Sequence, residues 1–204
     1  MAASIGGFYT MNTSDSIIHP AAIVEEGACI GARTRVWAFA HILSGVIIGN
    51  DCNICDHTFI ENGVRLGDRV TLKCGVHLWS GLTAEDDVFI GPCVAFANDL
   101  RPRSKRRPTE YSKVLLKNGA SLGSNCTILP CAIGSWAMIG AGSIITRDVP
   151  DYALVIGNPG RITGWVCRCA SKLDFEGTKM ATCKCGRKYF REGNTTVYEK
   201  EDLS

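Results

Sequence analysis

The chain lacks any long hydrophobic run and any large excess of charge. Of its 204 residues, 46% are hydrophobic and only 8% are aromatic. No apolar stretch approaches the ~20 residues of a membrane-spanning helix. The segment 1–16 lacks the basic start and apolar core of a secretion signal, and we treat it as an N-terminal extension outside the fold. The net charge of +2 gives no reason to expect nucleic acid as a partner. These absences predict a cytoplasmic protein with neither a membrane nor a nucleic-acid partner.

A six-residue repeat dominates what is present. Divided into sixes from Ile17, residues 17–100 form fourteen units. The second position of every unit is apolar, and the sixth is small or apolar. Short strands alternate their side chains inward and outward, so each unit makes one flat face and one corner. Three faces close a triangular coil of eighteen residues, whereas an amphipathic helix needs a period of about 3.6. The repeat predicts an all-β protein, a left-handed parallel β-helix of hexapeptide repeats. Glycines at the third position are expected to permit the sharp turn. They are Gly31, Gly49, Gly67 and Gly91.

The repeat is interrupted once. The register resumes at about 119 and continues to 149, with a unit at 133–137 that is one residue short, for six to seven coils in total. Between the blocks, residues 101–118 contain seven Lys or Arg against one Glu. Loops ejected from a solenoid often lie on its binding face. The loop is therefore either a solvated basic segment or a phosphate clamp that includes Arg103.

The last part of the chain, 167–204, is a cysteine-rich tail that follows the β-helix domain at 17–166. Two Cys-x-Cys pairs flank a short hairpin-like segment, an arrangement similar to a zinc ribbon. Four thiolates predict a closed tetrahedral structural zinc site, which would explain how a segment with little core folds. The usual spacing leaves two residues between paired cysteines and here it leaves one, so disulfides or free thiols are the alternatives. The expected ligands are Cys167, Cys169, Cys183 and Cys185.

The most specific motif lies in residues 138–166, which contain GAGS, TRDVP and GNPGR. This run resembles the closing coil of hexapeptide-repeat acyltransferases. The resemblance implies a homotrimer with acetyl-CoA as co-substrate, bound in the cleft between neighbouring subunits. The family usually has alanine where this chain has Gly160. By resemblance, the CoA contacts are Ala141, Gly142, Arg147, Asn158, Pro159 and Arg161.

Residues 72–92, 96–104 and 114–129 narrow the family. They resemble N-acetyltransferases that act on nucleotide-linked 3-amino sugars, either dTDP-3-amino-3,6-dideoxyhexoses or UDP-2-acetamido-3-amino-glucuronate. The resemblance implies acetyl transfer to the C3 amine of such a sugar, for bacterial-type surface glycan biosynthesis. The glucuronate group has an Asn-Asn pair where this chain has Cys74 and Gly75, so that amide contact is missing or supplied from elsewhere.

Acetyl transfer requires a neutral amine, and histidine is the usual general base. His41 and His77 share the first hexad position two coils apart, which places them on one face. We expect His77 to be the catalytic base. In the dideoxyhexose group a glutamine often stands at this position, which implies the alternative that the substrate amine and the CoA sulfur handle the proton themselves. The expected substrate contacts are His41, Glu61, Asn62, Trp79, Asn98, Asp99 and Arg103.

Other functions share the coil. A γ-type carbonic anhydrase needs three histidines at set positions, and Leu82 stands where a third would follow His77. A non-catalytic scaffold would have the coil without the CoA-type ending. An O-acetyltransferase of the same fold is the third alternative, and it relies on a positioned histidine.

Overall fold

The computed structural model describes residues 15–106, 108–193 and 196–199. Within these ranges the chain forms β-strands and no helix. In the described residues nothing forms a helix long and apolar enough to cross a membrane. The predicted N-terminal extension, apart from its last two residues, lies outside the described ranges, as do the last five residues of the tail.

The coil is built from twenty short strands, most of them two residues long. In chain order they are β1 (Ile17–Ile18), β2 (Ile23–Val24), β3 (Cys29–Ile30), β4 (Arg35–Val36), β5 (His41–Ile42), β6 (Ile47–Ile48), β7 (Asn53–Ile54), β8 (Phe59–Ile60), β9 (Arg65–Leu66), β10 (Thr71–Leu72), β11 (His77–Leu78), β12 (Leu82–Ala84), β13 (Phe89–Ile90), β14 (Ala95–Phe96), β15 (Val114–Leu116), β16 (Ser121–Leu122), β17 (Thr127–Ile128), β18 (Ala132–Ile133), β19 (Met138–Ile139) and β20 (Ile144–Ile145). The strands that close the coil and build the tail are β21 (Ala153–Gly157), β22 (Gly160–Val166), β23 (Lys172–Leu173), β24 (Met180–Thr182), β25 (Lys188–Glu192) and β26 (Thr196–Glu199).

Three parallel faces enclose the core. The first face contains β1, β4, β7, β10, β13, β16, β19 and β21. The second contains β2, β5, β8 and β11, continued by β14, β17 and β20, and the third contains β3, β6, β9, β12, β15 and β18. Ile17 pairs with Arg35 and Thr71 with Phe89, eighteen residues further along the chain in each case. The predicted parallel β-helix of hexapeptide repeats, with six to seven coils, is confirmed.

The second hexad position fills the interior. From Ile30 to Phe96 every residue at this position is buried, whereas Ile18 and Val24, in the first described coil, are half-buried. Each fully buried aliphatic side chain contributes roughly 1.5–3 kcal/mol to folding. The stack of these side chains is therefore the main source of stability of the coil.

The third-position glycines let neighbouring coils approach each other, and they do not make the turn. A Cβ on Gly31 would lie 2.4 Å from the carbonyl carbon of Gly49 in the next coil. The left-handed residue of the corner is instead at the fifth position, as at Arg33 (φ 57°) and Asp51 (φ 56°). The sequence correctly predicted that a Cβ would not fit at these glycines. The clash, however, would be with the next coil and not within the turn.

The basic loop is shorter than the sequence predicts. β15 lies within the stretch 101–118 and pairs with β12 and β18, so the chain leaves the coil only over 101–113. Leu100, expected to be a corner residue, is 60% exposed because it lies where the chain departs into the loop. The repeat thus resumes soon after the last charged cluster.

The position of the short unit also differs. Strand starts at Thr127 and Ala132 are five residues apart, whereas those at Ala132 and Met138 are six apart. The unit that lacks a residue is therefore 127–131 and not 133–137. The apolar spacing alone could not separate these two, because Ala132 fits either a corner or an outward position.

Candidate functional site

The second face carries the predicted catalytic histidine. Strand pairing places His41, Phe59 and His77 in register on β5, β8 and β11. His77 is exposed, and its ring meets those of Phe59 and Trp79 edge-on, with centroids 6.2 and 6.0 Å apart. Among the described residues, no polar group hydrogen-bonds to the His77 ring. The predicted placement of His41 and His77 on one face is confirmed, and the nitrogens of His77 are open to a ligand.

His41 is held differently from His77. Its Nε2 lies 3.2 Å from Oε1 of Glu25, while the other carboxylate oxygen of Glu25 accepts the backbone N–H of Ser44 at 3.0 Å. The hydrogen bond from the Ser44 backbone, followed by that from His41, lowers the pKa of Glu25. The carboxylate thus fixes the orientation of the His41 ring.

The corner after Trp79 is anchored by residues predicted to bind substrate. Oε2 of Glu61 accepts the backbone N–H of Ser80 at 2.7 Å, and the Ser80 hydroxyl donates to the Asn62 carbonyl at 2.9 Å. Nδ2 of Asn98 donates to the Ser80 carbonyl at 3.2 Å. Glu61 and Asn98, predicted to contact substrate, therefore lie beside Trp79, where their hydrogen bonds hold the corner in place.

Asp99, an expected substrate contact, makes a local turn. Its Oδ1 accepts the backbone N–H of Arg101 at 2.8 Å. This contact fixes the start of the basic loop.

A shallow pocket of about 190 Å³ lies beside His77 and Trp79. Cys93 and Phe96, which the sequence did not single out, also line it. Cys93 stands eighteen residues after Gly75, another lining residue, so the coil period was the signal that could have found it. The pocket is a place where a small group could lie against the histidine ring.

The basic loop begins and ends next to Trp79. The backbone N–H of Ser112 donates to the Asn98 carbonyl at 3.0 Å, which closes the base of the loop. Among the described residues of the loop, no cation forms an ion pair with a described carboxylate. These exposed cations are Arg101, Arg103, Lys105, Arg106 and Lys113. The loop therefore contributes unneutralised positive charge beside the second face, at the corner that follows β14.

The predicted CoA residues gather at the last coil. The hydroxyl of Ser143 accepts the backbone N–H of Gly157 at 3.0 Å, which ties the exposed Ala141–Gly142 corner to the β21–β22 hairpin. The turn of that hairpin is Asn158–Pro159, joined by a cis peptide bond. These residues form one exposed surface, which we call the CoA corner (141–142 and 157–161).

Both predicted arginines near the CoA corner are exposed. Arg161 lies on β22 within the corner, and Arg147 follows β20 on the adjoining second face. A Cβ on Gly160 would lie 2.7 Å from Cδ1 of Ile145 and 2.9 Å from Cγ1 of Val155. The space that the usual alanine would need is filled here by these aliphatic side chains, which accounts for the departure from the family pattern.

The second face connects His77 with the neighbourhood of the CoA corner. β14 contacts β11, and β14, β17 and β20 are paired in register, so His77 is followed by Ala95, Thr127 and Ile144. Three strand spacings of ~4.8 Å separate His77 from Ile144, about 14 Å in all. The outward side chains between them, Ala95 and Thr127, are small. The second face thus has a shallow track from the CoA corner to His77.

The four tail cysteines converge. All four Sγ atoms lie within 4.8 Å of one another. The Cys167–Cys185 and Cys169–Cys183 sulfur pairs are each 3.5 Å apart. None of the eleven cysteines forms a disulfide. A tetrahedral zinc ion with Zn–S bonds of ~2.3 Å places its sulfurs ~3.8 Å apart, so the cluster fits such an ion.

The two Cys-x-Cys segments have the same local structure. The backbone N–H groups of Ala170 and Gly186 donate to the carbonyls of Cys167 and Cys183 at 2.8 and 2.9 Å. Ala170 and Gly186 are also both left-handed, with φ of 69° and 91°. Two equivalent turns that present four sulfurs to one point support a metal site despite the unusual one-residue spacing.

Other thiols of the coil are poor nucleophiles. Burial raises the pKa of Cys52 to about 11 and that of Cys131 to about 12. Cys74 is exposed, and burial raises the pKa of Cys55. No arrangement for cysteine catalysis is present among these groups.

The described histidines do not form a metal site. His57 stacks on Phe39 at a corner, with ring centroids 5.0 Å apart. His19 accepts a backbone N–H from Ala21 at 3.1 Å in the first coil. In the described ranges no three-histidine cluster exists, so the geometry gives no support to the carbonic anhydrase alternative.

Comparison with known proteins agrees with this geometry. Residues 30–62 match the family model described as bacterial transferase hexapeptide (six repeats). The dTDP-3-amino-3,6-dideoxy-alpha-D-galactopyranose 3-N-acetyltransferase of Aneurinibacillus thermoaerophilus is 53% identical over 173 residues, 84% of this chain and 89% of that protein. The chain belongs to the hexapeptide-repeat nucleotide-sugar N-acetyltransferases. The family predicted from the closing motif is therefore confirmed.

More distant members of the repeat superfamily also match this N-acetyltransferase. The bifunctional protein GlmU of Thermotoga petrophila is 28% identical over 187 residues, which cover 76% of the chain and 41% of GlmU, so the chain spans about two fifths of that protein. PerB from Caulobacter crescentus, solved in complex with CoA and GDP-perosamine, is 25% identical with a TM-score of 0.35, and the match covers 73% of this chain and 57% of PerB.

Proposed function

We propose that this N-acetyltransferase transfers the acetyl group of acetyl-CoA to the C3 amine of a dTDP-linked 3-amino-3,6-dideoxyhexose in the cytoplasm. The observation that carries the proposal is that His77 and Trp79 lie about 14 Å along the second face from Ile144, whose carbonyl is next to Gly160 of the CoA corner. The 53% identity to an enzyme named for such a substrate supports the sugar class. The absence of an Asn-Asn pair at Cys74 and Gly75 disfavours the glucuronate type.

The chemistry requires the neutral amine to attack the thioester carbonyl. A C–N bond forms as the C–S bond breaks, and the amine loses a proton while the CoA thiolate gains one. His77 accepts the proton from the amine and returns it to the departing sulfur. Because both reactants lie along one face, their orientation supplies a large part of the rate enhancement.

The nucleotide would be held by the aromatic and basic groups at the far end of the track. Trp79 is half-buried and offers one ring surface for a base to stack on. The unneutralised cations of the loop, Arg103 among them, would pair with the diphosphate. Replacing Trp79 with Ala should raise KM for the nucleotide sugar by roughly 5- to 150-fold, the value of ~1–3 kcal/mol of base stacking, and leave KM for acetyl-CoA unchanged.

Homotrimerisation is supported by the outer surface of the coil. Ile17, Ile23 and Phe39 are 61%, 56% and 59% exposed. Ile17 and Ile23 lie on different faces and so offer separate apolar contacts that neighbouring subunits would cover. Light scattering coupled to gel filtration should give three times the mass of the chain, and a monomer at assay concentration would contradict the proposed assembly.

We also assign a structural zinc ion to the four converged cysteines. Bound there, zinc would supply a rigid tetrahedral cross-link and no chemistry at the acetyl-transfer site. Metal analysis of the purified protein should give one zinc per chain, and Cys185→Ser should abolish it. Stoichiometric disulfides in place of metal would refute the assignment.

A panel of dTDP-, UDP- and GDP-linked amino sugars tests the reaction itself. CoA thiol release from acetyl-CoA should be greatest with a dTDP-3-amino-3,6-dideoxyhexose, and mass spectrometry should find the acetyl group on nitrogen. Release with the matching 3-hydroxy sugar, forming an ester, would support the O-acetyltransferase alternative. No release with any member of the panel would overturn the proposal.

A further inference from the structure

One strand joins the CoA corner to the cysteine cluster. β22 carries Arg161 near its start and ends one residue before Cys167. It pairs with β21 along one edge and with β23 along the other. The sheet that begins at β1 therefore continues from the coil into the tail without interruption.

The hydrophobic core also extends from the last coil into the tail. Trp165, Leu173, Phe175 and Tyr189 belong to the buried cluster that also contains Val155 of the last coil, and each is at most 5% exposed. A solenoid has to cover its final repeat, because an open end exposes the core and unpaired strand edges. Residues 165–193 and 196–199, which we call the tail cap, provide this cover.

Tyr189 links the metal ligands to the coil through a single side chain. It is fully buried, and its hydroxyl lies 3.2 Å from the sulfur of Cys167 and accepts the backbone N–H of Arg168 at 3.2 Å. Its ring packs edge-on against Tyr152 of the last coil, with centroids 5.2 Å apart. Movement of the cysteine cluster would therefore move a group that is packed against the coil.

Arg168, between the first two cysteines, makes a second link. Its guanidinium lies 4.3 Å above the ring of Trp136 in the coil and pairs with Glu199 of the last described strand at 3.4 Å. Glu199 also pairs with Arg187, two residues after Cys185, at 3.2 Å. Coil, first cysteine pair, second cysteine pair and β26 are thus connected by one chain of contacts.

We infer that the tetrathiolate metal site locks the tail cap onto the β-helix, so that metal occupancy sets the order of β22 and, through it, the affinity of the CoA corner. The tail cap has a small core of its own, and in such segments metal binding is coupled to folding. β23 pairs with β22 only at Trp165 and Val166, next to the first cysteine. Loss of the metal releases this end of β22, and the hairpin that presents Asn158, Pro159 and Arg161 is then held by β21 without the anchor at its base. The CoA part of this inference rests on the proposed function.

The test compares four samples of the full-length protein: as purified, stripped with a chelator, reloaded with Zn²⁺, and the variant Cys183→Ser. Cys29→Ser, which removes a thiol from the first coils, is the matched control. Hydrogen exchange of residues 160–166 and calorimetric titration with CoA are measured on each sample, with metal content determined in parallel.

Stripping and Cys183→Ser should each speed amide exchange in 160–166 at least 10-fold and weaken CoA binding at least 10-fold. Exchange in β4 to β13 should stay slow, which excludes global unfolding, and Zn²⁺ should restore the stripped sample but not the variant. Unchanged exchange in 160–166 after metal loss would overturn the inference, as would purified protein that contains no metal. If the metal-loaded protein fails to bind CoA, the proposed function fails, while the exchange measurement still decides whether the metal locks the cap.

Discussion

His77 and His41 lie two coils apart on the same face of the β-helix, with the ring of Phe59 in register between them. In the described residues Glu25 contacts the ring of His41, and no carboxylate contacts that of His77. The repeat thus produces two histidines in equivalent positions with different surroundings. One is oriented by a fixed partner, and the other is open beside a pocket and at the end of the track from the CoA corner.

The open surroundings of His77 lead to a prediction about its role as the catalytic base. His77→Ala should lower kcat by at least ~10²-fold, the usual contribution of a general base, with little change in KM for acetyl-CoA. The measurement is steady-state kinetics with the dTDP-amino sugar, and His19→Ala in the first coil is the control. A loss of less than about tenfold would show that the substrate amine and the CoA sulfur handle the proton themselves.

Arg161 should contribute to the binding of CoA and not to that of the nucleotide sugar. Arg161→Ala should raise KM for acetyl-CoA roughly 10- to 100-fold, as expected for a charge-assisted contact worth ~1.5–3 kcal/mol, and leave KM for the nucleotide sugar unchanged. Arg65→Ala, an equally exposed arginine on the third face, is the matched control. Equal effects of the two substitutions would place CoA elsewhere.

Gly31 tests the close approach of neighbouring coils. In Gly31→Ala the new Cβ would meet the backbone of Gly49 at 2.4 Å, so the coils must separate. We expect a loss of about 2–4 kcal/mol, which lowers the melting temperature by roughly 4–16 °C. Gly45→Ala is the control, because there a Cβ meets nothing within 4 Å and only the left-handed φ of +76° is strained. Equal melting temperatures for the two variants would show that the coil tolerates the extra methyl.

The ion pair between Arg69 and Asp87 makes the stability of the coil depend on pH. Nε and Nη2 of Arg69 donate to both carboxylate oxygens of Asp87 at 2.7 and 2.9 Å, and these bonds hold the pKa of Asp87 below its usual 3.8. A lowered carboxyl pKa stabilises the folded state above pH ~4, and this contribution is lost as pH falls through the folded-state value.

Asp87→Asn should therefore lower the melting temperature at pH 6 by up to roughly 4 °C, since exposed pairs contribute ~0.2–1 kcal/mol. The difference from the unmodified protein should shrink as pH is lowered from 5 to 3. Thermal melts over this range measure it, with Asp56→Asn at another corner as the control. A difference as large at pH 3 as at pH 6 would mean that Asp87 acts through packing and not through its charge.

The repeat made much of the structure predictable. A strict six-residue period leaves one way to bury every second-position side chain, so Ile30, Ile54 and Leu78 could be assigned to the core from the sequence. The same period put His41 and His77 on one face. It could not locate the short unit, because Ala132 is small enough to stand inside or outside.

The amino-acid sequence by itself determined the coil, its three faces, the family and the four cysteines, because each depends on residue type at fixed spacing along the chain. Tertiary structure decided what those residues contact. Glu61 and Asn98 hydrogen-bond to the Ser80 corner, and Glu25 contacts His41. These contacts form because residues about eighteen apart in the sequence lie in neighbouring coils, one strand spacing apart. Tertiary structure also decided that the tail joins the coil through Tyr189, a contact between distant segments whose geometry depends on how the last coil ends.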